Sequence, residues 1–308
     1  MHKRIVVTAF ALAISTATLW GQAVPQMRSR YFTTLTNTEI EEFLRRNDVI
    51  VVPVGTAEGF NNMPTDLEYA MAEAYALKIA QEADGLVLPH LLYFYPGVTA
   101  TGKGSVYVGE EECLRYLKAV AHSLLRQGFR RQIYTSSHGP SNQYVAALVR
   151  DFFEETKDPI IYIETSQLTR MAQQQKLLAE NLGNLFQLVG YGAYSILGRL
   201  NDIPLDLDFK PAGPPVPAPP ESLRKLSPLG PSSGAVGTYS PNNGDNGGRP
   251  LRISITAQQR GEMGKQGTAI IEAGVKAMDV KAVVQAMRDY DKYIHDVIVP
   301  RFGDMLQR

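Results

Sequence analysis

The chain has 308 residues, 44% hydrophobic and 20% charged, so it can bury a large core and is not a disordered segment. Its 31 Lys and Arg balance 31 Asp and Glu, which argues against nucleic acid or an anionic lipid surface as a partner. The single cysteine, Cys113, excludes an intramolecular disulfide and any multi-cysteine zinc or iron–sulfur site.

Residues Met1 to Ala23 open with His2-Lys3-Arg4, continue through an apolar run from Ile5 to Ile14, and reach Gly21-Gln22-Ala23 before Val24-Pro25. A basic start, an apolar stretch and a small-x-small site are the pattern of a secretory signal peptide. The expectation is export to the periplasm or the exterior, with no membrane contact after cleavage. The alternative is an uncleaved anchor, because the apolar run, followed on to Trp20, is close to the ~17 residues a short span needs. Residues 24–308 are then expected to form a single domain.

Thr38-Glu39-Ile40-Glu41 fits a capping box and predicts a helix with Ile40, Phe43 and Leu44 on one face. Asp48 to Gly55 is a short, β-branched apolar run that suits a strand buried on both faces. From Asp66, apolar residues recur at helical spacing to Ile79, and Gly85-Leu86-Val87-Leu88-Pro89 follows as a second strand. Glu110 to Gln127 predicts a helix stopped by Gly128, and Arg131 to Ser137 a strand. Gln143 to Thr156 predicts a helix and Ile160 to Ile163 a strand, with helical patterns from Gln167 to about Leu200 and from Lys281 to Val299. Strands separated by helices imply an α/β fold with a mainly parallel sheet covered on both faces. Between Pro204 and Pro250 lie 11 of the 19 prolines, and the stretch ends in a Gly/Asn-rich run, so 204–250 is expected to be an irregular excursion from the domain.

In such a sheet the loops beyond the carboxyl ends of the strands gather along one edge, where ligands bind. The loop from Pro53 to Asp66 carries Glu58 and Asp66, the segment Ser136 to Asn142 carries His138, and Glu164 ends a strand. Two carboxylates and an imidazole from separate loops suit a divalent metal that lowers the pKa of bound water and polarises a carbonyl. Each has a plainer alternative: Asp66 as a helix N-cap, Glu58 as a solvated loop carboxylate, His138 as a turn residue. His90, His122 and His295 suit structural roles. Gly102-Lys103-Gly104-Ser105 lacks the spacing of a phosphate loop.

Several of these segments resemble the creatininase, or creatinine amidohydrolase, family. Pro53-Val54-Gly55-Thr56-Ala57-Glu58 is similar to its Pro-Val-Gly-Ser-x-Glu opening, and Thr65-Asp66 to its Thr-Asp at the next helix. Gly104-Ser105-Val106-Tyr107-Val108 is similar to a Gly-Thr-Ile-Ser-Leu segment. Gln127 to Arg131, leading into Ser136-Ser137-His138-Gly139-Pro140-Ser141-Asn142, resembles a His-Gly-Phe-Arg stretch followed by Asn-Gly-His-Gly-Gly-Asn. Gly264 to Thr268 is faintly similar to an Ala-Gly-Glu-x-Glu-Thr-Ser stretch, and the likeness spans roughly residues 37–300, densest to about 165.

The resemblance implies a metal-dependent hydrolase of amide C–N bonds in a small molecule, usually a homo-hexamer, with a two-metal zinc or manganese site. Glu58, Asp66 and His138 match three of those ligands. The family's histidine two residues after the glutamate is Phe60 here, and its ligand two residues after the loop histidine is Pro140. In the C-terminal motif, its histidine and second glutamate fall on Glu262 and Gly267. What remains is a set for one zinc or manganese per chain, with Glu262 as a candidate general base beside Glu164. Because ligand positions are missing, the alternative is a catalytically degenerate member kept as a binding or assembly module. Convergence of three ligand atoms on one point favours the enzyme.

Overall fold

The structure, a computed structural model, describes residues 27–59, 63–97, 104–180, 182–206, 221–225 and 254–303. The leader at 1–23, Phe60 and most of the 204–250 excursion lie outside the described residues. No helix among the described residues is long and apolar enough to cross a membrane.

The elements in chain order are α1 (Asn37–Leu44), β1 (Val49–Pro53), α2 (Leu67–Glu82), β2 (Leu86–Val87), α3 (Glu110–Gln127), β3 (Arg131–Ser136), α4 (Ser141–Thr156), β4 (Ile161–Glu164), α5 (Thr165–Gln174), α6 (Leu185–Ile196), α7 (Ala257–Met278), α8 (Val280–Tyr293) and α9 (Val299–Phe302). The four strands form one parallel sheet in the order β2-β1-β3-β4. Along β1 the side chains alternate between its faces. Val49 and Val51 join a core with α2, α5, α6, α7 and α8, whereas Ile50 and Val52 join a second core with α1, α3 and α4. All five β1 residues are buried, as a strand covered on both faces requires. The expected α/β architecture is therefore the observed one.

Helix α2 contacts the sheet on one side and α6 and α7 on the other, so its alanine-rich sequence is apolar on nearly every face. Helices α6 and α7 cross at glycines. A Cβ on Gly267 would come within 2.5 Å of the Gly192 nitrogen and 2.8 Å of its Cα, and closer still to the Leu188 carbonyl oxygen. Helix α3 ends at Gly128 with φ 108°, the left-handed conformation the sequence assigns to it.

Four expectations need correction. The first capping box is Thr36 with Glu39, two residues before the expected one, because the Thr36 hydroxyl accepts from the Glu39 backbone and Glu39 accepts from Thr36. The second strand, expected over Gly85 to Pro89, is only Leu86–Val87, while the helical patterns after β4 form two helices, α5 and α6. Helix α7 was not expected at all, since its sequence carries Gly261, Gly264, Gly267 and Gly274, and glycine is a poor helix former. The last helix widens into a π turn at Ile294–Ile298, just before Pro300, whose ring cannot donate to the preceding turn.

Candidate metal centre

The register of the sheet brings two edge loops together. Pro53 pairs with Thr135 and Ser136 with Glu164, so β1, β3 and β4 end at one level. The loop after β1 is held there by hydrogen bonds from Val54 N to the Thr135 carbonyl (2.8 Å) and from Gly55 N to the Leu91 carbonyl (3.0 Å). It closes on itself where Glu58 N donates to the Thr65 carbonyl at 2.8 Å. Residues 105 and 106 brace it from outside: Gly59 N donates to Ser105 Oγ at 3.1 Å, and Val106 N to the Ala57 carbonyl at 2.9 Å. After β3, the His138 backbone donates to Ser136 Oγ at 3.2 Å, and Ser136 Oγ donates to Ser141 Oγ at 3.0 Å, which tucks the start of α4 under the imidazole.

These loops place Glu58 and His138, 4% and 3% exposed, side by side, with His138 Nδ1 at 3.8 Å from Glu58 Oε2. The third member is Glu68 in the first turn of α2, whose Oε2 hydrogen-bonds His138 Nδ1. One ligand atom from each of Glu58, Glu68 and His138 lies within 4.8 Å of the others. Burial opposes the imidazolium, but Glu68 and then Glu58 outweigh it and hold His138 above its ordinary pKa. The buried Glu58 and the partly buried Glu68 facing one imidazole leave an excess of negative charge largely out of water, an arrangement a divalent cation compensates. The donor set, two carboxylates and one histidine nitrogen, fits such an ion.

Asp66 sits differently. Its Oδ1 accepts from the Tyr194 hydroxyl at 2.5 Å, and its Oδ2 from Arg199 Nη1 at 2.6 Å. It stands at the N-cap position of α2 but makes no side-chain cap bond, and its carboxylate is engaged by Tyr194 and Arg199 rather than gathered with Glu58 and His138. Tyr194 belongs to α6, and Arg199 follows that helix while also pairing with Asp202. Burial and the Asp66 carboxylate push the Tyr194 hydroxyl far up, and the hydrogen bond to Asp66 does the same for Arg199.

Glu262 lies on α7 with its side chain 57% exposed, 3.4 Å from Lys265, and is not in the cluster. Glu164 is held by the Ser166 hydroxyl and by Asn142 Nδ2 at 3.4 Å. His122 pairs with Glu155 at 2.8 Å on the surface of α3 and α4. A second group, Asp158, Asp291 and His295, also gathers within 4.8 Å. Two guanidinium groups already neutralise it, with Arg130 on Asp158 and Asp291, and Arg131 on Asp291 at 2.9 Å, so it works as an ionic clamp. The residue that sequence reasoning missed is Glu68. Its signal was a carboxylate in the first turn of a helix that starts at the ligand-binding edge.

The creatinine amidohydrolase (creatininase) family profile matches residues 33–184, the segment that supplies the whole sheet and all three clustered side chains. The 3-dehydro-scyllo-inosose hydrolase of Thermotoga maritima is 32% identical over 111 residues, 35% of this chain. The matched part spans 36% of that protein's length. A crystal structure of creatinine amidohydrolase (creatininase) superposes with a TM-score of 0.58 at 19% identity, covering 85% of this chain and 99% of that one. A manganese form of creatininase gives 0.56, and a mutant creatininase described as Zn–Zn type gives 0.52, each at 18% identity over 85% of this chain and 98% of theirs. At these identities the structural likeness is one of fold. Family profile, fold and the motif-bearing edge loops agree, and the chain belongs to the creatininase family as a divergent member.

Proposed function

We propose that this protein is an exported, metal-dependent hydrolase that cleaves an amide C–N bond of a small molecule. The observation that carries the reading is the cluster of buried Glu58 and His138 with partly buried Glu68 at the carboxyl edge of the sheet. The ion would be one zinc or manganese per chain, held by these three side chains, a choice supported by the manganese and Zn–Zn forms of creatininase. When bound, such an ion supplies Lewis-acid polarisation of a carbonyl and a water that ionises near neutral pH. The chain's own residues do the rest. Glu58 is kept in place by the Thr65, Ser105 and Val106 contacts, and the Ser136 and Ser141 hydroxyls hold the His138 backbone. Glu68 Oε2 hydrogen-bonds His138 Nδ1 and so fixes the orientation of the imidazole beside Glu58. Export rests on the leader pattern of residues 1–23, and assembly into a homo-oligomer, a homo-hexamer in the resemblance, is part of the same proposal.

One observation favours a second reading, a non-catalytic module: Arg199 and Tyr194 engage both oxygens of Asp66, and Pro140 offers no ligand. Elemental mass spectrometry of the chain beginning at Val24, beside His138→Ala, separates the two. About one zinc or manganese per chain, lost in the variant, together with hydrolysis of amides in a screen, supports the enzyme. A chain that takes up no metal after reconstitution refutes it and leaves the module.

A further inference from the structure

Helix α2 carries more toward the sheet edge than Glu68. Glu68, Met71 and Tyr75 follow at intervals of three and four residues and so share one face of the helix. Met71 and Tyr75 line a cavity of about 230 Å³, and its wall includes Ser137, the residue before His138, with Thr169, Arg170 and Phe186. None of Glu58, Glu68 and His138 lines the cavity, but its wall begins one helical turn beyond Glu68 on α2 and one residue before His138 in the loop after β3.

The wall has two chemical characters. Met71, Phe186 and the Tyr75 ring make it apolar, and the hydroxyls along it are already paired, Tyr75 with Thr169 at 3.0 Å and Ser137 with Thr165 at 2.7 Å. Arg170 is the exception. It stands exposed on the rim and makes no hydrogen bond or ion pair with any described residue. A guanidinium is permanently charged and presents a fork of donors that matches a carboxylate. The volume corresponds to roughly seven or eight waters at ~30 Å³ each, enough for one small ring or a short branched chain and too little for a folded partner.

We propose that this cavity is the substrate pocket of the site, taking a small molecule with an apolar body seated on Met71, Tyr75 and Phe186 and a carboxylate held by Arg170. This rests on the hydrolase reading for the word substrate, whereas the binding it predicts does not need turnover. The test uses 3-phenylpropionate and its uncleavable neutral counterpart 3-phenylpropan-1-ol as probes, titrated calorimetrically into the full chain and into Arg170→Gln and Phe186→Ala. The expected result is that the carboxylate binds about tenfold more tightly than the alcohol. Arg170→Gln removes that preference without weakening the alcohol, and Phe186→Ala weakens both probes. Equal affinity for the two probes, a preference that survives in Arg170→Gln, or no binding of either probe overturns the proposal. Failure of the hydrolase reading looks different: a metal-free chain that still prefers the carboxylate keeps the pocket and loses the enzyme. A metal-loaded hydrolase indifferent to the charge does the reverse.

Discussion

The crossing of α6 and α7 allows a prediction whose sign changes within one helix. At Gly267 an added methyl would have its nearest neighbours in backbone atoms, the Gly192 nitrogen at 2.5 Å, its Cα at 2.8 Å and the Leu188 carbonyl. Backbone cannot rotate aside, so the two helices must separate by about 1 Å to restore van der Waals distance, loosening their packing along the crossing. Overpacking of this kind costs roughly 1–3 kcal/mol, and here the upper end applies and exceeds the ~1 kcal/mol that alanine gains over glycine in a helix. The net expectation for Gly267→Ala is a loss of about 2 kcal/mol. Gly261, in the same helix, has nothing within 4 Å of its would-be Cβ. Gly261→Ala should therefore gain about 0.5–1 kcal/mol. At roughly 2–4 °C per kcal/mol for a domain of this size, melting followed by circular dichroism should fall by about 4–8 °C in the first variant and rise by a few degrees in the second. A Gly267→Ala protein that melts at or above the parent, or two variants that shift in the same direction, would refute the crossing as described.

The placement of the carboxylates makes a second pair of substitutions diagnostic. Glu68→Gln should lose the bound metal while Asp66→Asn retains it, because Asp66 serves Tyr194 and Arg199 rather than the cluster. Metal stoichiometry checks this, and loss of metal in Asp66→Asn with retention in Glu68→Gln would reverse the ligand assignment. At the opposite end of β3, Asp291→Ala strips Arg131 of its buried partner, with side chains 9% and 11% exposed. Removing one member of a buried pair costs ~3–5 kcal/mol, so a urea midpoint unchanged by the substitution would contradict the clamp. Burial pushes the Cys113 thiol up to about 11, so almost none is thiolate at pH 8. Iodoacetamide should label it only after unfolding, and mass spectrometry showing full labelling of the native chain would exclude that environment.

What the sequence disclosed and what it hid follow different physics. Helix α3 was legible to the residue, since its apolar spacing, its acidic first turn and Gly128 are all local signals. The parallel sheet, though not its strand order, was implied by alternation of strand and helix, and Glu58 and His138 met as expected because parallel strands in register end together. Asp66 could not be placed from its own neighbourhood. Its partner Tyr194 lies 128 residues further on and Arg199 lies 133, and no local pattern reports that distance. Glu68, two positions later, turns instead toward His138. The glycines of α7 hid that helix for a related reason: locally they weaken a helix, and only the approach of α6 explains why they are there. Glu262 shows the limit of motif matching, because a one-residue correspondence in a helix says nothing about which face it occupies.

The clamp between Arg131 and Asp291 joins residues 160 positions apart, and the face of the sheet it locks carries Val49, Val51 and Ile133 against residues of α7 and α8 such as Ile270, Ile271, Val284 and Met287. Both helices follow every strand of the sheet in the sequence. Before α7 and α8 are made, α2 already covers that face of the sheet but the α5 and α6 surfaces that meet α7 are bare, and the half-built chain is exposed to aggregation in the way slow, non-local folds are. A nick or frameshift beyond residue 250 therefore leaves the sheet covered by α2 but the apolar surfaces of α5 and α6 without their partner helix.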